Sequence, residues 1–157
     1  MDFSSQIILE VTNFQNQLRR ELSNIPIRWV APETMHLTLQ FLGEVPQNQI
    51  PAIQEAISTS AAGFSAVPVH IGSIGSFPSF KKPQVLWLGL SSNQTLKKIA
   101  TQLQAALQPL GFKPEKEFMP HLTLGRLNKM ATREQQNLVS AVLARWQSVD
   151  IGEDRMR

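Results

Sequence analysis

Residues 35–42 read MHLTLQFL and residues 120–127 read PHLTLGRL, so the tetrapeptide HLTL stands twice in one chain, at 36–39 and at 121–124. In a strand, alternate side chains share a face. His36, Thr38 and Gln40 therefore point one way and Leu37, Leu39 and Phe41 the other; His121 and Thr123 repeat this against Leu122 and Leu124. Each copy is preceded by a helix and a short segment, and each is followed after a short loop by an amphipathic helix. The order helix, HLTL strand, helix in both halves predicts a pseudo-symmetric α+β domain over 1–157, with repeats near 1–80 and 81–157.

The helices are read from apolar spacing. Ile7, Val11, Phe14, Leu18 and Leu22 mark the first, and Ile50, Ile53 and Ile57 the second. Leu96, Ile99, Leu103 and Leu107 mark the third, opened by Ser91 with Gln94 and closed by Pro109 and Gly111. Thr132 and Gln135 open a fourth that carries Leu138, Val142 and Trp146. Between them lie β-like runs at 27–30, 35–42, 67–74, 85–90 and 118–127. The second half has a strand, VLWLGL at 85–90, ahead of its first helix, and the first half has none. The first half follows its second helix with VPVHIGSIGSF, whereas the second half stops at SVDIGEDRMR. By its own internal logic the chain is expected to be short at both ends, as a fragment or a misassigned start would be.

A chain of 157 residues, 42% hydrophobic and 17% charged, can bury a core without disulfides or metal staples. No apolar run approaches a membrane span and the start MDFSSQIILE lacks a secretion signal, so a cytoplasmic protein without membrane association, and a monomer, is expected. The absence of cysteine removes thiolate nucleophiles and Cys-ligated metals, leaving His, Ser, Thr, Asp, Glu and Lys for chemistry. A formal charge of +3 and a pI near 9.6 lean toward a phosphate-bearing partner. With no block of like charges, a local phosphate site is expected rather than a long nucleic-acid surface.

If the halves are related by an approximate two-fold, two His/Thr pairs converge on one cleft. That set suits a cyclic phosphodiester: one group takes a proton from the attacking water, another protonates the leaving alkoxide, and imidazole, with a reference pKa of about 6.5, serves either end. Hydroxyls of Thr38 and Thr123 can donate to the non-bridging oxygens as charge builds. Neither metal nor other cofactor is required. One His in a strand is ordinarily a hydrogen-bonded residue, but two of the chain's three histidines occupy the same place in the same tetrapeptide. His70 has no such counterpart and reads as structural or surface. A three-His metal site lacks a near i, i+2 or i, i+4 pair and a carboxylate partner.

Arg126 lies an odd number of residues from His121 and would point away in a regular strand, though a bulge at Gly125 could re-aim it; phosphate contact and plain surface charge both stay open. In SFPSFKKP at 76–83, Phe77 and Phe80 could stack a base and Lys81 and Lys82 attract a phosphate backbone, which makes Phe80 a substrate-binding candidate; a solvated turn also accounts for the lysines. Trp29, Trp87 and Trp146 sit among apolar neighbours and read as core.

These residues resemble the 2H phosphoesterase superfamily, whose signature is a pair of H-x-T-x motifs. The stretches RWVAPETMHLTLQFLGEV at 28–45, IGSFPSFKKPQVLWLGL at 74–90 and FMPHLTLGR at 118–126 resemble its RNA 2′,3′-cyclic phosphodiesterase branch, also called 2′-5′ RNA ligase-like. The resemblance implies a two-lobed α+β fold with antiparallel sheets around a central cleft. It implies opening of an RNA 2′,3′-cyclic phosphate end to a 2′-phosphate, and reversible 2′-5′ joining at the same site. It also implies His36 as proton donor, His121 as proton acceptor, and Thr38 and Thr123 as phosphate-binding residues. Family members usually carry a strand before the first helix and further strands beyond the point of Arg157, both expected to be lacking here. The rival readings are a 2H enzyme for another small cyclic phosphate or nucleotide, and an RNA-binding module without turnover.

Overall fold

The computed structural model describes residues 3–64, 66–92, 94–114 and 117–156. The first helix, α1 (Ser5–Glu21), starts where the Ser4 hydroxyl accepts from the Ile7 N–H, satisfying a donor left free at a helix start. Ile7, Val11, Phe14 and Leu18 form its buried stripe. β1 (Ile27–Trp29), α2 (Ile50–Ala61), β2 (Val67–Ser79), β3 (Lys82–Ser91), α3 (Thr95–Leu107), β4 (His121–Leu127), α4 (Arg133–Arg145) and β5 (Asp150–Met156) follow. The strands form one sheet in the order β1-β4-β3-β2-β5, every neighbouring pair antiparallel. Among the described residues no helix is long and apolar enough to cross a membrane.

Alternation decides which face of the sheet is buried. Leu86, Leu88 and Leu90 of β3 and Leu122 and Leu124 of β4 join the α1 and α4 stripes in the main core, each such side chain contributing on the order of 1.5–3 kcal/mol by leaving water. Ile53 of α2 and Leu103 and Leu107 of α3 form a smaller cluster, on which Leu39 and Leu42 pack. The segment after the first HLTL therefore lies over the α2/α3 pair. The opposite sheet face carries the polar members of both motifs.

Four expectations change. The run 35–42 is not a strand: its one ladder contact is a bridge between Leu37 and Leu122. The reason is competition for the outer edge of β4, where β1 already pairs with residues 125–127 and the Val30 N–H takes the Leu124 carbonyl. The tail SVDIGEDRMR does contain a strand, β5, which pairs with β2 after α4. The expected Ser91–Gln94 cap of α3 does not form: Ser91 is still within β3, Gln94 is the N-cap with no side-chain cap bond, and the Leu96 N–H is taken by the Ser92 hydroxyl. On α4 the buried stripe is Val139, Val142 and Leu143, which leaves Leu138 exposed; the Thr132–Gln135 capping box forms as read.

Candidate active site

The Leu37–Leu122 bridge pairs the same residue of the two motifs, as a local two-fold axis through an antiparallel contact requires. One step either way sets His36 opposite Thr123 and Thr38 opposite His121. Both leucines are buried beneath the bridge, so all four polar side chains rise on the other face. There His36, Thr38, His121 and Thr123 line a single cleft of about 260 Å³ with Arg126, Phe77, Val85 and Phe41. Among the described residues no carboxylate lines it.

The two imidazoles are held alike. Nδ1 of His36 lies 2.7 Å from the Thr34 carbonyl and Nδ1 of His121 lies 2.7 Å from the Met119 carbonyl, each two residues upstream. A carbonyl only accepts, so Nδ1 carries the proton in both rings and Nε2 is left to exchange protons. The 3₁₀ turn Pro32–Thr34 delivers the first carbonyl. At the second motif, Pro120 anchors the entry by accepting from the Leu90 N–H.

Arg126 reaches the cleft because β4 is bulged. Thr123 pairs with Trp87 and Gly125 with Leu86, so Leu124 is the extra residue. Burial shifts with it: Leu122 and Leu124 are buried, then Leu127, and Arg126 joins the histidine side. The bulge is held by the Leu124 carbonyl, which accepts from Val30 N–H at 2.9 Å and from Gln15 Nε2 at 2.9 Å. Gln15, 1% exposed, also donates to the Val30 carbonyl at 2.8 Å. Arg28 stands directly opposite Arg126 in register.

Aromatic rings wall one side. Phe77 meets His121 edge-on, 4.9 Å between centroids, and Trp87 lies 5.2 Å from Phe77 and 6.0 Å from His121. Trp87 covers Gly75, where a Cβ would sit 2.1 Å from the indole. Phe80 lies elsewhere, in a groove between the β2–β3 turn and α4. His70 pairs with Asp150 at 2.9 Å, away from the cleft. Among the described residues no three His, Asp or Glu side chains gather as metal ligands. Of the two base-stacking candidates, Phe77 lines the cleft and Phe80 does not; Phe41, expected on the face of Leu37 and Leu39, lines the cleft instead because 35–42 is not a regular strand, and it occupies the place in the first repeat that Arg126 holds in the second.

The family model described as LigT like Phosphoesterase matches the chain over residues 2–87 and again over 88–155. A protein of Archaeoglobus fulgidus named RNA 2′,3′-cyclic phosphodiesterase is 31% identical over 139 residues, 88% of this chain and 75% of its own. One of Methanothermobacter thermautotrophicus with the same name is 27% identical over 146 residues, 93% of this chain and 77% of its own. The crystal structure of E. coli LigT complexed with 3′-AMP superposes with a TM-score of 0.62 at 25% identity, covering 84% of this chain and 73% of that one. A protein of Thermus thermophilus, TT0787, shares the fold with a TM-score of 0.72 at 24% identity, covering 82% and 72%.

Proposed function

This chain belongs to the LigT-like phosphoesterase family, and we propose that it opens the 2′,3′-cyclic phosphate at an RNA end to a 2′-phosphate, with His36 and His121 as the proton-transfer pair. The observation that carries the reading is the bridge between equivalent leucines, which gathers both histidines, both threonines and Arg126 on one small cleft. Relatives bearing the name RNA 2′,3′-cyclic phosphodiesterase support the substrate class.

In this mechanism neutral His121 takes a proton at Nε2 from water as its oxygen bonds to phosphorus. His36, protonated at Nε2, gives its proton to the 3′ oxygen as the P–O3′ bond breaks. The phosphate remains on the 2′ oxygen, and proton exchange with solvent resets the pair. Thr38, Thr123 and Arg126 bind the non-bridging oxygens, where charge accumulates. Phe41 and Phe77 flank the sugar and base. The Nδ1–carbonyl bonds keep each ring in the tautomer that this exchange needs. A 5′-hydroxyl in place of water would follow the same proton path to a 2′-5′ linkage.

The test is hydrolysis of a short RNA ending in a 2′,3′-cyclic phosphate, with EDTA present so that turnover reports on the side chains alone. A 2′-phosphate product is expected, with a rate lower by about 10²–10⁴-fold in His36→Ala and in His121→Ala. The rate should fall on both sides of an optimum pH, since one imidazole acts neutral and the other protonated. A folded protein without turnover, or full activity in either variant, would overturn the reading.

A further inference from the structure

The cleft of about 260 Å³ has room for little beyond the reacting end. A larger groove of about 910 Å³ lies where the β2–β3 turn meets α4. Phe80, Lys81 and Lys82 form its turn side, and Arg133, Asn137 and Ser140 its helix side. Among the described residues its lining holds no carboxylate, and Glu134, beside Arg133 on the helix, is not part of it. Among the described residues no carboxylate lies within ion-pair distance of Lys81, Lys82 or Arg133. Three cations facing one space without a counter-charge repel, and a bound polyanion relieves that cost. The Ser140 hydroxyl reaches the Phe80 carbonyl and ties the turn to the helix.

The turn begins at the cleft. Phe77 and Val85, both in the cleft wall, pair with each other, and Ser79 pairs with Lys82 at the turn. Phe80, in the turn, is three residue steps beyond Phe77, at most roughly 10 Å along the chain. Arg28, Arg126, Val85 and Phe77 form one row across the sheet at this end. The groove opens on the side of the sheet that α4 covers, so a strand leaving the cleft over Phe77 would pass round the tip of the β2–β3 turn, where Lys81 and Lys82 stand, before reaching Arg133. Cations that track a backbone beside an aromatic ring are the ordinary means of holding a single strand. We propose that this groove binds the single-stranded RNA leading to the reactive end, with phosphates on Lys81, Lys82 and Arg133 and a base against Phe80. This rests on the RNA-end reading above.

The test compares the full chain with Lys81→Glu/Lys82→Glu/Arg133→Glu, with the milder Lys81→Gln/Lys82→Gln/Arg133→Gln, and with an equal charge change elsewhere, Arg20→Glu/Lys97→Glu/Arg155→Glu. Anisotropy is measured against a labelled RNA of about ten nucleotides ending in a 2′-phosphate, over a salt series. The Glu triple variant should bind about tenfold or more weakly, with a log–log salt slope shallower by about two, at roughly 0.7 per lost phosphate contact. The Gln variant should show the same slope change if the Glu variant does not fold. The control should change far less. For catalysis, KM for the oligonucleotide should rise in the triple variants while turnover of a nucleoside 2′,3′-cyclic phosphate stays unchanged. Equal RNA binding by wild type and both triple variants, or an equal loss in the control, overturns the groove. Groove-dependent RNA binding without hydrolysis would instead overturn the RNA-end reading and leave the groove standing.

Discussion

Gln15→Leu tests whether the bulge that aims Arg126 is held from the far side of the sheet. Gln15 is 1% exposed, and its Nε2 donates to the carbonyls of Val30 and Leu124 at 2.8 and 2.9 Å. Leucine keeps most of the volume and removes both donors. The Leu124 carbonyl keeps the Val30 N–H, so its loss is one ordinary hydrogen bond, about 0.5–1.5 kcal/mol; the Val30 carbonyl loses its donor in a partly buried place, about 1–3 kcal/mol. Urea unfolding should therefore register a destabilisation of about 2–4 kcal/mol with an unchanged m-value. Activity should fall further than unfolding explains, because Val30 lines the cleft and Leu124 is the residue whose displacement turns Arg126 inward. A double-mutant cycle with Arg126→Ala, read as kcat/KM at a temperature where both proteins are folded, should give a coupling of about 0.5–3 kcal/mol. Additive effects would refute the idea that Gln15 acts through the bulge, whatever the stability result.

Gly75→Ala drives a Cβ to 2.1 Å from the Trp87 ring and displaces the indole toward Phe77 and His121. A stability cost of about 1–3 kcal/mol is expected in thermal unfolding, together with a drop in kcat that a Trp87→Leu background should largely abolish. Arg28→Ala separates two effects of opposite sign. Arg28 and Arg126 are like charges directly opposite on adjacent strands, so the free protein should gain up to about 1 kcal/mol while KM for a cyclic phosphate rises; loss of stability in low salt would contradict this.

The duplicated HLTL was legible because its residues carry chemistry and spacing together. The Thr132–Gln135 cap was legible because its two bonds are local. What escaped depended on partners distant in sequence. The run 35–42 has the composition of a strand, yet the edge of β4 that it needs is taken by β1. DIGEDRM at 150–156 looks too charged for a strand, but charged residues are what an edge strand tolerates. There Asp154 also accepts from the Ser4 N–H at 2.8 Å, joining the sheet edge to the start of α1. Arg126 stood unresolved because a bulge is a matter of pairing, and Gln15, the residue that holds it, lies on a helix stripe where nothing in the local pattern marks a buried amide. Phe80 and Phe77 share one short segment, and only the register of the hairpin separates the groove residue from the cleft residue.

Identical motifs about a two-fold axis would make identical histidines, but the proposed reaction has one give a proton while the other takes one. The asymmetry must come from residues outside HLTL. The chain supplies it at the position two places after each tetrapeptide: Phe41 follows the first and Arg126 the second, and both line the cleft. In the proposed reaction, an apolar ring on one side and a guanidinium on the other would favour one orientation of a ligand with an anionic end and a planar end, phosphate toward Arg126. Phe77 and Trp87 reinforce the difference, since they pack beside His121 from strands β2 and β3. Exchanging the two flanks, Phe41→Arg with Arg126→Phe, keeps every atom of both HLTL motifs. If direction is encoded in the flanks, this exchange should cost more in kcat/KM than the loss of Arg126 alone, because the phosphate would be drawn toward the wrong side of the axis. If the swap matched Arg126→Ala, the guanidinium would serve as bulk charge, and the acid and base roles would have to be set by the aromatic wall around His121.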